Sequence, residues 1–283
     1  MSIRSQLTNP ELKLTRSELR IVGVLLDNYP VAGLTTAANL ADKAAASYPT
    51  VIRLANKLGY DSFTSFQKAL FAEQEASHMS PLSMLEHYKD ADAQGDLFQS
   101  YTQFAIGHLE RIRQSHVPSS FETALEMICD HRKRILCLGG RFSRYLAAYL
   151  RAHLVQLRAG TECLEGTESD YVDRLVDIDS RDVIILFDYR RYQKDIISFA
   201  LSAKERRAQI ILFTDIWQSP IVSVANVTII APVDTLSPFD SLIAPLTQVE
   251  ALVAAVTLRM QDRSRSRIAD LEMLRESNQI TIT

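Results

Sequence analysis

The chain has 283 residues, 47% hydrophobic and 23% charged, which fits an ordinary soluble protein with room for one large domain or two modest ones. A formal net charge of -3 argues against a generally basic nucleic-acid coat, although residues 1–60 hold seven Lys/Arg against four Asp/Glu. Cys129, Cys137 and Cys163 lack CxxC or CxxH spacing, the N-terminus has no apolar h-region and no run of about 18 apolar residues occurs, so disulfide framework, zinc site, secretion and membrane spanning are all unexpected.

Apolar positions recur at helical spacing over residues 15–28, 35–44, 47–58 and 62–76, which predicts a bundle of short helices. A tight turn near Ala45 and Ala46 separates the middle two. Ser47 suits an N-cap, Pro49 is tolerated in a first turn where its missing N–H has no partner, and Gly59 suits the position after the last turn. Within residues 47–58, Val51, Leu54, Ala55 and Leu58 form an inward stripe and leave Tyr48, Thr50, Arg53 and Lys57 on the opposite face. A DNA major groove admits one such helix, whose first side chains reach base edges while hydroxyls and cations hold phosphates. Thr36, Ser47, Tyr48, Thr50, Arg53 and Lys57 are therefore the candidate contacts to double-stranded DNA. A plain helical hairpin with a solvated polar face fits the same pattern.

The stretches LTRSELRIVGVLLDNYP and LADKAAASYPTVIRLANKLGYDSFTSFQKAL resemble the N-terminal domain of the RpiR/MurR family of bacterial regulators. The most specific part is the run from Thr50, with a recognition helix ending in K-L-G-aromatic. This resemblance covers about residues 10–77 and implies an all-α helix-turn-helix domain over 1–77 that binds an operator.

Residues 78–120 are expected to form a helical connector, interrupted near Gly95, with Leu82, Leu85, Tyr88, Leu97, Tyr101, Phe104 and Leu109 as apolar anchors. After Phe121 the rhythm changes to short strand-like runs, RILCLG, TECLE, DVIILF, QIILFT and VTIIAP, separated by helical stretches. That alternation predicts a parallel sheet with helices on both faces and ligands at the C-terminal ends of its strands. Residues 263–283 are charged and expected to be partly ordered at best. Members of the family that the N-terminus resembles carry a sugar isomerase (SIS) domain here, a five-stranded parallel sheet in an αβα sandwich, which the resemblance assigns to residues 121–262.

Against the SIS pattern, RILCLGGRFSRYLA matches a first strand and loop that usually reads G-x-G-x-S; Gly139 and Ser143 match, Gly140 lies between them and Arg141 replaces a glycine. DVIILFDYRRYQKDI falls where the family has a strand and an S-x-S-G-x-T loop that cradles a sugar phosphate, and Asp188, Tyr189, Arg190, Arg191 and Gln193 stand in that loop here. Small donors are exchanged for guanidinium groups that bind carboxylate or phosphate through two hydrogen bonds, with Tyr189 and Tyr192 placed to flank a ring. Ser241 and Glu250 match the start of the last helix, while Leu242 and Pro245 depart from it. The expected effector is a small anion, either a sugar phosphate, a sugar acid or a related carboxylate. The alternative leaves Arg190 and Arg191 paired to Asp188 or Asp195 around a degenerate pocket used only for dimerisation.

His131 and His153 are expected to be structural. Glu162, Glu165 and Glu168 are placed on the loop after the second strand, where carboxylates could bond ligand hydroxyls or act as a base in a sugar-phosphate isomerase. His78 and His87 lack further metal-type ligands, Trp217 reads as a packing or interface residue, and no cofactor, metal or catalytic residue is expected. A homodimer or homotetramer follows from the need for two DNA half-sites, and the cysteine pattern makes a reduced cytoplasm the expected compartment. An architectural DNA binder indifferent to metabolites is the remaining alternative.

Overall fold

Short amphipathic helices build the N-terminal unit, and hydroxyl side chains cap several of them. The structure, a computed structural model, describes residues 3–7, 12–27, 29–78, 80–88 and 96–280, and divides into units Met1–Ser83 and Met84–Thr283. The first unit holds α1 (Ile3–Leu7), α2 (Arg16–Asp27), α3 (Ala37–Lys43), α4 (Tyr48–Lys57) and α5 (Phe63–His78). Thr15 and Glu18 form a reciprocal cap on α2, with the Thr15 N–H donating to Glu18 Oε2 at 2.7 Å and the Glu18 N–H to Thr15 Oγ1 at 3.3 Å. Thr36 caps α3 by accepting from the Asn39 N–H at 3.2 Å. Ile21, Leu25, Leu40, Val51, Leu54, Phe66 and Leu70 close one core, each contributing roughly 1.5–3 kcal/mol by leaving water.

The α3–α4 turn requires Ala45 at φ 46°, a left-handed conformation costing a non-glycine residue roughly 1–2 kcal/mol. Arg20 on α2 offsets this by donating to the carbonyls of Ala44 at 3.0 Å and Ala45 at 2.7 Å. Gly59, at φ 92°, ends α4 in the region that glycine enters without penalty.

Helix α6 (Pro81–Tyr88) straddles the division between units, inside the segment expected as a connector. Helices α7 (Leu97–Ser115) and α8 (Pro118–Cys129) belong with the second unit and pack on its last core helix. The expected interruption at Gly95 lies outside the described residues. Of the predicted anchors, Leu82, Leu85, Leu97 and Leu109 are exposed, and the residue α7 buries is His108.

The sheet comprises β1 (Arg134–Gly139), β2 (Thr161–Cys163), β3 (Asp182–Phe187), β4 (Gln209–Asp215) and β5 (Val227–Ala231), all parallel in the order β2-β1-β3-β4-β5. Strand alternation sends Ile135, Cys137, Val183, Ile185, Phe187, Ile211 and Phe213 into one core with α8, α9 (Arg144–Leu157) and α12 (Ile243–Arg259). The intervening Leu136, Leu138, Ile184, Leu186, Ile210 and Leu212 meet α11 (Lys194–Glu205) on the other face, with α10 (Glu168–Asp173) at its edge. β3 is buried along its whole length for this reason.

The segment expected to be partly ordered at best, 263–283, is instead helical over α13 (Gln261–Ser277), while residues 281–283 lie outside the described residues. Two side chains dock it on the end of α9: Ser264 Oγ donates to the Leu157 carbonyl at 3.3 Å and Arg267 Nε to that of Val155 at 2.6 Å. These bonds satisfy carbonyls that the last turn of a helix leaves without partners, an arrangement a charge count does not reveal.

Candidate DNA interface and effector site

The two ends of α4 are held differently, and that decides which polar side chains are free. Tyr48 is 55% exposed, and Ser47, Arg53 and Asn56 also face solvent. Thr50, expected on the outer face, is only 5% exposed. Its hydroxyl lies 2.8 Å from Ser47 Oγ and accepts from Arg53 NH2 at 3.1 Å, so it orients the guanidinium rather than standing beside it as an equal reader. Thr50 is one helical turn before Leu54, on the flank of the apolar stripe rather than opposite it, which is why it is buried while Tyr48 stays exposed.

Lys57 also departs from the expected role. Its Nζ donates to the Lys13 carbonyl at 2.7 Å and to Glu18 Oε2 at 2.8 Å, tying the end of α4 to the start of α2. Burial pushes the Glu18 carboxyl up, but hydrogen bonds from Lys57 and Thr15 outweigh this and hold it below the usual range. Lys57→Met should therefore destabilise the N-terminal unit by about 1–2 kcal/mol, less than a fully buried pair because Lys57 is partly exposed. Urea melts at neutral pH, against Lys43→Met as control, would measure the loss.

At the sheet, the strand order reverses between β1 and β3, so the loops after these strands meet at a topological switch point. Glycine is required at 139 because a Cβ there would fall 2.6 Å from the backbone of Ser143 and Arg144. Ser143 is buried, accepts the Gly140 N–H at 2.9 Å and donates to the Phe187 carbonyl at 2.6 Å. Gln193 folds over Gly140, where its Oε1 would stand 2.3 Å from an added Cβ, and accepts the Arg141 N–H. The N–H groups of Gly140 and Arg141 are thus satisfied from within the chain. Arg141 is exposed, its guanidinium 5.2 Å from the Phe142 ring.

Arg190 is 9% exposed and pairs through Nε and NH2 with Asp240, a residue of the loop between β5 and α12. Neither Asp188 nor Asp195, the partners suggested by sequence proximity, holds its guanidinium. It also lies 5.4 Å from the Trp217 ring and 3.4 Å from Met84 Sδ, which gives Trp217 a specific partner. Arg191 is exposed at φ 61°. Tyr189, expected to flank a ligand, is packed in the core under the sheet, and its buried hydroxyl has no partner among the described residues. Ser241 is buried, and its Oγ accepts from the Ile243 N–H at 3.4 Å at the start of α12. Glu250 lies farther along that helix and accepts from Tyr149 Oη at 3.0 Å.

Two carboxyls missed or misread from sequence lie beneath this loop. Asp188, 2% exposed, accepts from Ser219 Oγ and the Gln193 N–H, and burial pushes it up to about 7 with Asp215 adding to the rise. Asp215 accepts from Tyr192 Oη at 2.8 Å and from the N–H groups of Arg190, Trp217 and Gln218, yet burial still raises it to about 6. Asp215 was legible only as the last residue of a strand, a weak signal.

Glu162 lies within β2, not on the loop after it, and pairs with Arg174 at 2.7 Å. Glu165 is exposed, His131 is exposed, and the His153 ring centroid lies 4.6 Å from that of Tyr149. The side chains of Glu168, His78 and His87 lie outside the described residues. Among the described residues no cluster of three metal-type ligands occurs, and no single helix is long and apolar enough to cross a membrane.

Residues 1–77 match the model of the helix-turn-helix domain of the rpiR family, and residues 128–255 match that of the SIS domain. The chain is 25% identical over 297 aligned positions to the HTH-type transcriptional regulator HexR of Escherichia coli, covering 97% of this chain and 93% of that protein. Among solved structures, the sugar isomerase domain of an RpiR transcription factor from Sphaerobacter thermophilus superposes with a TM-score of 0.60 at 22% identity, over 63% of this chain and 99% of that one. The NanR protein of Vibrio vulnificus, complexed with ManNAc-6P, gives 0.56 at 17% identity over 97% and 98%.

Proposed function

With an rpiR-family helix-turn-helix followed by a SIS domain, the chain belongs to the RpiR-type transcriptional regulators, and on that premise we propose that it binds an operator through α4 and senses a small anionic metabolite at the β1–β3 switch point. The observation that carries the DNA reading is Arg53, exposed on α4 and aimed by the buried Thr50 hydroxyl. Tyr48, Ser47 and the α3 cap Thr36 contribute base-edge and phosphate contacts, while Lys57 braces the helices. Two copies present two recognition helices at fixed spacing, so the protein works as a homodimer or homotetramer in the cytoplasm.

For the sensor, the guanidinium groups of Arg190, Arg191 and Arg141 replace the small donors of the usual loop, which favours a sugar phosphate, sugar acid or related carboxylate. Around them, Gly139, Gly140 and Ser143 shape the β1 loop, Asp188, Tyr189 and Gln193 the β3 loop, and Ser241 the start of α12. HexR is named as a transcriptional regulator, and binding rather than turnover is the function proposed here. The effector acts by favouring one arrangement of the subunits over another, which requires unequal affinity for the two.

The test has two parts. Gel-shift titration of the full chain against duplexes selected from a random pool should show sequence-specific binding that weakens steeply with salt. Thermal-shift measurements with sugar phosphates and sugar acids should raise the melting temperature of the wild type but not of Arg190→Gln. Turnover of a sugar phosphate without DNA affinity would replace this reading by an isomerase, and indifference to every anion would leave a DNA binder with a degenerate pocket.

A further inference from the structure

The anion anchor is already occupied by the chain itself. Arg190 lies at the C-terminal end of β3, and the carboxylate it holds belongs to Asp240, fifty positions away on the β5–α12 loop. The same loop carries Asp234 near its start, where both carboxylate oxygens accept from Arg111 NH1 at 3.0 Å and Oδ1 stands 3.5 Å from His108 Nε2. Arg111 and His108 are on α7, one of the helices through which the chain enters this unit. One short loop therefore grips the effector site at one end and the connector helix at the other.

We propose that Asp240 is a built-in competitor for Arg190, displaced by the anionic group of the effector, and that its release shifts the Asp234–Asp240 loop and so loosens or re-seats α7. The proposal rests on the sensor reading above and adds to it the mechanism of regulation. The exchange is chemically matched, one oxyanion for another on the same guanidinium. The ion pair forfeited by the chain is partly recovered as Asp240, already partly exposed, regains water. The competitor raises the effector concentration needed for a response. It also makes the response specific for anions, because a neutral ligand gains nothing on Arg190 that would repay losing Asp240. Transmission needs no long pathway: the loop has two arrangements, closed on Arg190 or released, and both the anion and α7 bias that equilibrium.

The experiment uses the full chain and inorganic sulfate as the probe, with chloride at matched ionic strength as the control. Asp240→Asn keeps the shape and removes the competing charge; Asp240→Ser removes the reach as well and guards against a new bond from the amide. Sulfate should stabilise both variants at concentrations about tenfold or more below those the wild type needs, the scale expected of one charged hydrogen-bonding partner. Arg190→Gln combined with Asp240→Asn should abolish the effect. Hydrogen exchange over residues 97–115 should change in Asp240→Asn without any ligand, and Asp234→Asn should already show that altered exchange. If wild type and both Asp240 variants respond to sulfate alike through Arg190, the competitor role is overturned while the sensor stands. If no variant responds to sulfate or to any sugar anion, the sensor reading itself falls. If sulfate binding tightens but α7 exchange is unmoved, the competitor stands and the transmission through Asp234 is overturned.

Discussion

Arg53→Ala should weaken operator binding by about ten- to a hundredfold, the loss expected when one guanidinium that bonds a base edge in two places is removed. The substitution isolates the contact because alanine is the best helix former and Arg53 is exposed, so α4 and the core beneath Val51, Leu54 and Ala55 should persist. Fluorescence anisotropy on a selected operator and on an unrelated duplex would read it. Loss confined to the operator assigns Arg53 to base recognition. Equal loss on both duplexes, restored by Arg53→Lys, would assign it to phosphate instead, since lysine keeps the charge but not the planar fork. Unchanged affinity on both would remove α4 from the interface.

The second large effect concerns pH. Asp188 and Asp215 are raised in the folded chain to about 7 and about 6, above the ordinary aspartate value, so between roughly pH 4 and 7 the folded state binds more protons than the unfolded one. The neutral carboxyls contribute stability that is fully present below the unfolded value and lost as pH rises through the folded values. The SIS unit should therefore lose on the order of a few kcal/mol between pH 4.5 and 8, a window taken from these two shifts. Exposed carboxylates held low by arginines, such as Glu110 with Arg113 and Asp179 with Arg181, act in the opposite sense but only below that window. Trp217 is the single tryptophan and lies beside Arg190, so its fluorescence in urea reports on this unit. Asp188→Asn should flatten the decline, and a variant with the same slope as the wild type would show that Asp188 does not titrate in this range.

Much of the architecture was legible because it is written in short-range patterns. The five strand-like runs became the five strands, and the central run DVIILF is apolar on both sides because helices cover both faces of the sheet. Thr36 caps α3 and Gly59 ends α4 because capping chemistry acts within three or four residues, whereas Ser47 stands at the start of α4 without a side-chain cap bond. The G-x-x-x-S spacing at Gly139 and Ser143 was readable for the same reason: the helix start folds back onto the strand end.

The sequence by itself determined the helices of residues 15–76, the five strands and which loops gather at one end of the sheet, since propensity, capping and alternation are local properties of the chain. The tertiary structure alone decided how the charged groups are used. Thr50 turned inward, Lys57 went to Glu18, Arg190 went to Asp240 and a charged terminal segment docked on α9, all through partners brought together by folding. Coulombic and hydrogen-bonding partners are chosen by distance in space, and a periodic pattern carries no information about residues fifty positions apart.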